Sequence, residues 1–343
     1  SVYALNGRIK KGLDKLRIGF RNEFMFLTEA GIKKYLRSLT SDEVVLTYHI
    51  SPAMAQVWIG KKGGIQRRDI PNPSRVYGAL VAARDSLTDT GIVSFNRKMD
   101  QLGKYLVAPV AERLTDTIYW IPAGLLLGLP IDALRVDGRY LLERHNIVNL
   151  LSFPENPGPG NSLKPGSLQS VFLAGDPQDY SGGYAERLQT SPEIRSMVDF
   201  FVGPGLQTVQ GVALLPDEFQ ADNFRQADLV HLTMPGVINL WQPQESSFEL
   251  SEGEYEPGRL ALKPVDIRSQ GLAAGLVFLS SIRVTGEPHS EFTSRPALIS
   301  DFLTADADAV VVNLWSGDAG SNEKFVTEFY HGLKESGNIA EAL

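Results

Sequence analysis

The sequence predicts an α/β fold, a mostly parallel sheet with helices on both faces. Three observations carry that expectation. From residue 168 onward, short apolar runs alternate with amphipathic stretches, the rhythm of repeated βαβ units. Two runs, Ala227-Asp-Leu-Val-His-Leu-Thr-Met-Pro-Gly236 and Leu272-Ala-Ala-Gly-Leu-Val-Phe-Leu-Ser-Ser-Ile-Arg-Val-Thr-Gly286, end in small polar turns. Buried parallel strands do so where they deliver side chains to a site. Near the start, two strand-like runs flank Lys61-Lys-Gly-Gly64, a hairpin turn signal.

Length and composition narrow the possibilities. A chain of 343 residues, 43% hydrophobic and 21% charged, can bury a sizeable core in one large or two closely packed domains. Net charge is −7 and no basic block tracks a phosphate backbone, which argues against nucleic acid as a partner. No apolar stretch reaches the roughly 18 residues of a membrane span, and no secretory signal is visible, so a cytoplasmic protein without a membrane partner is expected. There is no cysteine, hence no disulfide, no thiolate nucleophile and no Cys-ligated zinc. The five histidines lack ligand spacing, and no metal or other cofactor is expected.

Taken in order, residues 1–41 read as an incoming helical segment. Leu5, Ile9, Leu13, Leu16 and Phe20, then Phe24, Leu27, Ile32, Tyr35 and Leu36, recur at helical steps. Strands follow at 43–50, 54–60 and 65–70. Helices are expected at 74–87, capped by Ser74 after Pro73, and at 95–114, where Pro109 kinks the helix or starts a fresh turn. A buried strand from Ile118 leads to a Pro/Gly turn and a short helix pinned by Pro130. The Pro-, Gly-, Asn- and Ser-rich stretch 154–167 reads as a linker between a first half at 42–153 and a second at 168–343. In the second half, strands are expected at 169–174, 206–210, 228–233, 275–280 and 308–314. Helices are expected at 191–201, 216–226, 264–270, 295–304 and 321–334. The acidic stretch 238–258 reads as an irregular solvated loop or as a lid between the two long runs.

Ile118-Tyr-Trp-Ile-Pro-Ala-Gly124, Leu129-Pro-Ile-Asp-Ala-Leu134 and Gly138-Arg-Tyr-Leu-Leu-Glu143 carry a specific likeness. So do the two runs above, Asn313-Leu-Trp315 and Phe329-Tyr330-His-Gly-Leu333. In order and spacing they resemble the motifs of the CHAT family, caspase-like proteins often fused to helical TPR repeats. The resemblance covers about residues 42–335. It implies a caspase-like, mostly parallel sheet flanked by helices, with a degenerate caspase-like first half that carries the hairpin. It also admits TPR-type repeats upstream, and a chain that runs on past Leu343 to a final aromatic strand. In the family the first catalytic motif reads roughly vHfaTHG and the second LSACxTG. The catalytic His falls here on Pro235 and the nucleophilic Cys on Ile282. The Asp and His of the family's first half fall on Ala123 and Leu127.

A peptidase of this kind needs a thiolate, an imidazole and N–H donors for the oxyanion. Ile282 has no ionisable proton, and Pro235 has neither imidazole nor backbone N–H; Gly236 still offers an amide. The resemblance thus implies a catalytically inactive member, not an enzyme, that binds or scaffolds a protein or peptide. Its relic cleft would hold His231, Met234, Gly236, Ser280, Ser281, Arg283 and Asp318. Arg283 suits an acidic peptide and Asp318 a basic one. The alternative is a hydrolase pairing Ser280 with His231, since period-2 geometry puts Ser280 on the face of Ile282 and Ser281 on the other. The family assignment further predicts that strands 228–233 and 275–280 are adjacent, parallel and central, with Pro235 and Ile282 at one rim. Ile282 is expected to pack against apolar neighbours in a partly closed notch.

Overall fold

The structure, a computed structural model, describes residues 29–84, 92–126, 129–150, 163, 168–175, 192–201, 207–211, 222–233, 236–237, 247–249, 261–262, 266–267, 271–272, 274–280, 301–303, 305–312 and 319–343. Two five-stranded sheets dominate it.

The first half opens with α1 (Glu29–Ser38), then β1 (Glu43–Ile50), β2 (Ala55–Lys61) and β3 (Gly64–Asp69). Helices α2 (Pro73–Arg84) and α3 (Ile92–Leu106) follow, and a 3-10 turn at Ala108–Arg113. The chain continues through β4 (Thr117–Ile121), the tight hairpin β5 (Arg135–Val136) and β6 (Arg139–Tyr140), and β7 (Asn146–Asn149). The sheet order is β3-β2-β1-β4-β7, antiparallel on the hairpin side and parallel where β4 joins β1 and β7.

Side-chain alternation decides what each face buries. Val44, Leu46 and Tyr48 of β1 and Ile118 and Trp120 of β4 face α2, α3 and the 3-10 turn, meeting Leu80, Met99, Leu102 and Val110. Val45 and Ile121 face the other way, onto Tyr35 and Leu36 of α1. Pro109 starts a fresh 3-10 turn, as expected. The helix expected from Ser74 begins instead at Pro73. Proline suits a first helical position, because its fixed φ is helical and its missing N–H would have no partner there.

In the second half come β8 (Ser170–Gly175), α4 (Pro192–Phe201), β9 (Gln207–Gly211), the short α5 (Asp222–Arg225) and β10 (Leu229–Thr233). Then follow β11 (Gly236–Val237), β12 (Ser247–Glu249), β13 (Ala261–Leu262), β14 (Leu276–Leu279), β15 (Val310–Val312), α6 (Ala319–Ser336) and α7 (Ile339–Ala342). The order β15-β14-β10-β8-β9 is parallel throughout. Both faces are buried, as such sheets require. Val171, Leu229, Leu276 and Phe278 meet α4 and α6 on one side; Phe172, Val230, Val277 and Leu279 meet Phe224 and Phe302 on the other.

Strands β10 and β14 are adjacent and parallel, with β10 at the centre, as the sequence predicts. Of the acidic stretch only Ser247–Glu249 is described, and it is a strand. This β12 pairs antiparallel with β11 and β13, closing a small three-stranded sheet directly after β10. Strands of two or three residues whose partners lie ten or more residues away leave no periodic trace, so a run rich in Glu reads as solvated chain. The helices expected at 216–226, 264–270 and 295–304 lie largely outside the described residues. Within the linker stretch, Leu163 is buried in the second half's core, and its N–H donates to the carbonyl of Gly337 at 3.1 Å.

Candidate functional site

The site lies where β10 and β14 end. Register places His231 beside Phe278 and Leu232 beside Leu279, and the N–H of Ser280 donates to the carbonyl of Leu232 at 3.0 Å. Thr233 and Ser280 therefore stand level at the carboxyl ends of neighbouring strands. Alternation puts Leu229, His231 and Thr233 on one face of β10, and Leu276, Phe278 and Ser280 on the matching face of β14. That face looks onto α4 and α6.

Glu193, in the first turn of α4, reaches this face from above. Its Oε1 lies 2.9 Å from Nε2 of His231, and Thr233 Oγ1 donates to its Oε2 at 3.3 Å. The other ring nitrogen of His231, Nδ1, lies 3.0 Å from the Tyr330 hydroxyl of α6. An ionised carboxylate only accepts, so Nε2 of His231 carries a proton and donates to Glu193. The imidazole stacks on Phe278, with ring centroids 5.0 Å apart and planes 17° from parallel. All five groups, Glu193, His231, Thr233, Ser280 and Tyr330, are buried.

Burial pushes the Glu193 carboxyl up, but the hydrogen bond and charge of His231, with the Ser280 and Thr233 hydroxyls, outweigh it and hold the group below its usual range. The position at a helix N-terminus acts in the same sense. Burial, and then the Glu193 charge, push the Tyr330 hydroxyl well above its usual value. Glu193 is thus an anion held inside the protein by one imidazole and two hydroxyls. Ser196 Oγ donates to Glu323 Oε1 at 3.1 Å and fastens α4 to α6 one turn further on.

Of the sequence-predicted site residues, the structure brings His231 and Ser280 to one buried cluster. Gly236 opens β11 and pairs with Phe248. Met234, Pro235, Ser281, Ile282, Arg283 and Asp318 lie outside the described residues, as do the separation of Pro235 from Ile282 and the packing of Ile282. Sequence reasoning missed Glu193. An acidic residue after proline at a helix start is commonplace, and its partner on β10 lies 38 residues away. Tyr330 stood in a quoted motif without a role; its hydroxyl sits 99 residues from the ring it meets.

Among the described residues no helix is long and apolar enough to cross a membrane. A family model described as CHAT domain matches residues 96–343. No curated protein matches the chain.

Proposed function

The chain belongs to the CHAT domain family, a caspase-like peptidase family, and from that membership we propose that it is a member without peptidase chemistry that binds or scaffolds a protein or peptide. One observation carries this reading. The strand ends carry a buried hydrogen-bonded cluster, while the positions that the resemblance gives to the catalytic His and Cys are Pro235 and Ile282, in a chain without cysteine. Loss of nucleophile and base leaves the oxyanion donors and binding surface, which alone give only ~10³–10⁴-fold over water in the serine-protease analogy. A cleft that holds a segment without cutting it is what remains.

The hydrolase pairing Ser280 with His231 draws no support from the geometry. Both ring nitrogens of His231 already have partners, and Ser280 is buried, whereas a nucleophile must reach its substrate.

Three experiments test the proposal. The purified chain should neither cleave a random peptide library nor be labelled at Ser280 by a fluorophosphonate; cleavage abolished by Ser280→Ala overturns it. Peptides selected for binding from a displayed library should lose affinity when Ile282 is replaced by Lys, and binders indifferent to that change speak against the cleft. The double variant Pro235→His/Ile282→Cys should regain little or no peptidase activity. Robust cleavage by it would show that only two residues separate this chain from an active enzyme.

A further inference from the structure

β3 has no core to serve. Of its residues only Arg68 is half-buried; Gly64, Ile65, Gln66, Arg67 and Asp69 are exposed, with α1 the one helix alongside the strand among the described residues. It is the edge of its sheet among the described residues. A Cβ placed on Gly63 or Gly64 would meet nothing, so the hairpin tip stands clear of the body. The strand is held by its ladder with β2, by Gln56 Nε2 donating to Asp69 Oδ1 at 2.7 Å, and by Arg68. That arginine donates to the carbonyl of Pro109 at 3.0 Å and pairs with Glu112.

Register fixes which backbone groups point outward. The Lys62-Gly63 turn makes Lys61–Gly64 the hydrogen-bonded closing pair, so Gln66 and Arg68 aim their backbone groups at β2. Ile70, whose N–H donates to the carbonyl of Ala55 at 2.8 Å, keeps the same phase. The N–H and C=O groups of Ile65, Arg67 and Asp69 therefore point away from the sheet. The surrounding charge is positive: Lys62 and Arg67 are exposed, Lys61 is half-buried, and Asp69 is engaged by Gln56, in a chain whose net charge is −7.

We propose that the outer edge of β3 is a docking edge that receives an extended acidic segment of a partner protein as a sixth strand. Main-chain bonds at Ile65, Arg67 and Asp69 would supply the pairing, carboxylates would meet Lys62 and Arg67, and half-exposed Ile65 would cover an apolar side chain. Edge lysines and arginines ordinarily repel a second strand. Here they reject a second copy, because pairing two β3 edges would set like charges against each other, but they do not reject an acidic strand. The edge lies outside residues 96–343, so it is no part of the family match, and it stands independently of the relic cleft.

The test uses the full chain and a capped, fluorescent peptide of about ten residues alternating Glu and Val, long enough for one strand. A Lys–Val peptide is its counterpart. Anisotropy should rise with the Glu–Val peptide only and decline as ionic strength approaches about 0.15 M. The amides of Ile65, Arg67 and Asp69 should gain protection from hydrogen exchange. Arg67→Pro removes one outward N–H while leaving the β2 ladder intact, and should weaken binding about tenfold. Lys62→Glu with Arg67→Glu keeps every backbone donor and should transfer the preference to the Lys–Val peptide, which covers the case of a proline variant that misfolds. No binding of the Glu–Val peptide overturns the proposal, as does binding unchanged in both variants or protection confined to the strand ends at Thr233 and Ser280.

Discussion

His231 and Glu193 hold one another in place, and each is costly without the other. Removing one partner of a buried pair strands the other, which costs about 3–5 kcal/mol, whereas replacing both with apolar groups is often neutral. His231→Phe, which preserves the stack on Phe278, should therefore destabilise by about 3 kcal/mol in urea unfolding, and Glu193→Leu added to it should restore most of that loss. The folded Glu193 carboxyl is held below its ordinary value of 4.5. Its contribution is complete above that pH and is lost as pH falls through the lower, folded value. Unfolding measured across that acid window should show a steeper decline for the native chain than for Glu193→Gln. Asp132 behaves oppositely. Burial pushes its carboxyl up, against the pull of its own and Ala133's backbone N–H groups, and Oδ1 is buried without a partner. Its contribution is complete below 3.8 and declines as pH rises toward the folded value. Asp132→Asn should thus be more stable at pH 7 by about 1 kcal/mol, read by the same titration.

Among elements, the close approach of α3 to β5 rests on one missing side chain. A Cβ at Gly103 would overlap the carbonyl of Arg135, a backbone atom that cannot swing aside. Gly103→Ala should cost about 1–3 kcal/mol in thermal or urea unfolding. The β5–β6 turn places Asp137 and Gly138 at φ of 53° and 77°, the left-handed pair that a two-residue hairpin demands. Elements of this kind were legible where local chemistry decides them. β10 and β14 announce themselves as apolar runs because parallel strands are buried on both faces, and Lys61-Lys-Gly-Gly64 announces its hairpin. The start of α2 was misplaced by one residue, since Ser and Pro are both good starting signals and only geometry ranks them. The polar cluster was half legible. His231 and Ser280 lie in motifs, but Glu193 is brought to them by the packing of α4 on the sheet, which leaves no local mark.

At the scale of the whole molecule, the two five-stranded sheets have separate cores among the described residues, and the halves touch at named points. α7 lies against β7, and Leu163 joins the second half's core while its N–H meets the carbonyl of Gly337. The likeness of motif order to one family gave this architecture in outline. It did not give the anchoring of Leu163, because a single leucine among prolines and glycines has no periodicity to reveal it. That anchor holds the one described residue of the stretch, Leu163, against the second half. Leu163 is a peg, seated beside Gly275, where a side chain on the glycine would collide with it. A protease site inserted just after Pro165 should therefore yield two fragments that travel together through gel filtration and part only under denaturant. Leu163→Asp in the same background should let them drift apart, as a dowel withdrawn frees a joint.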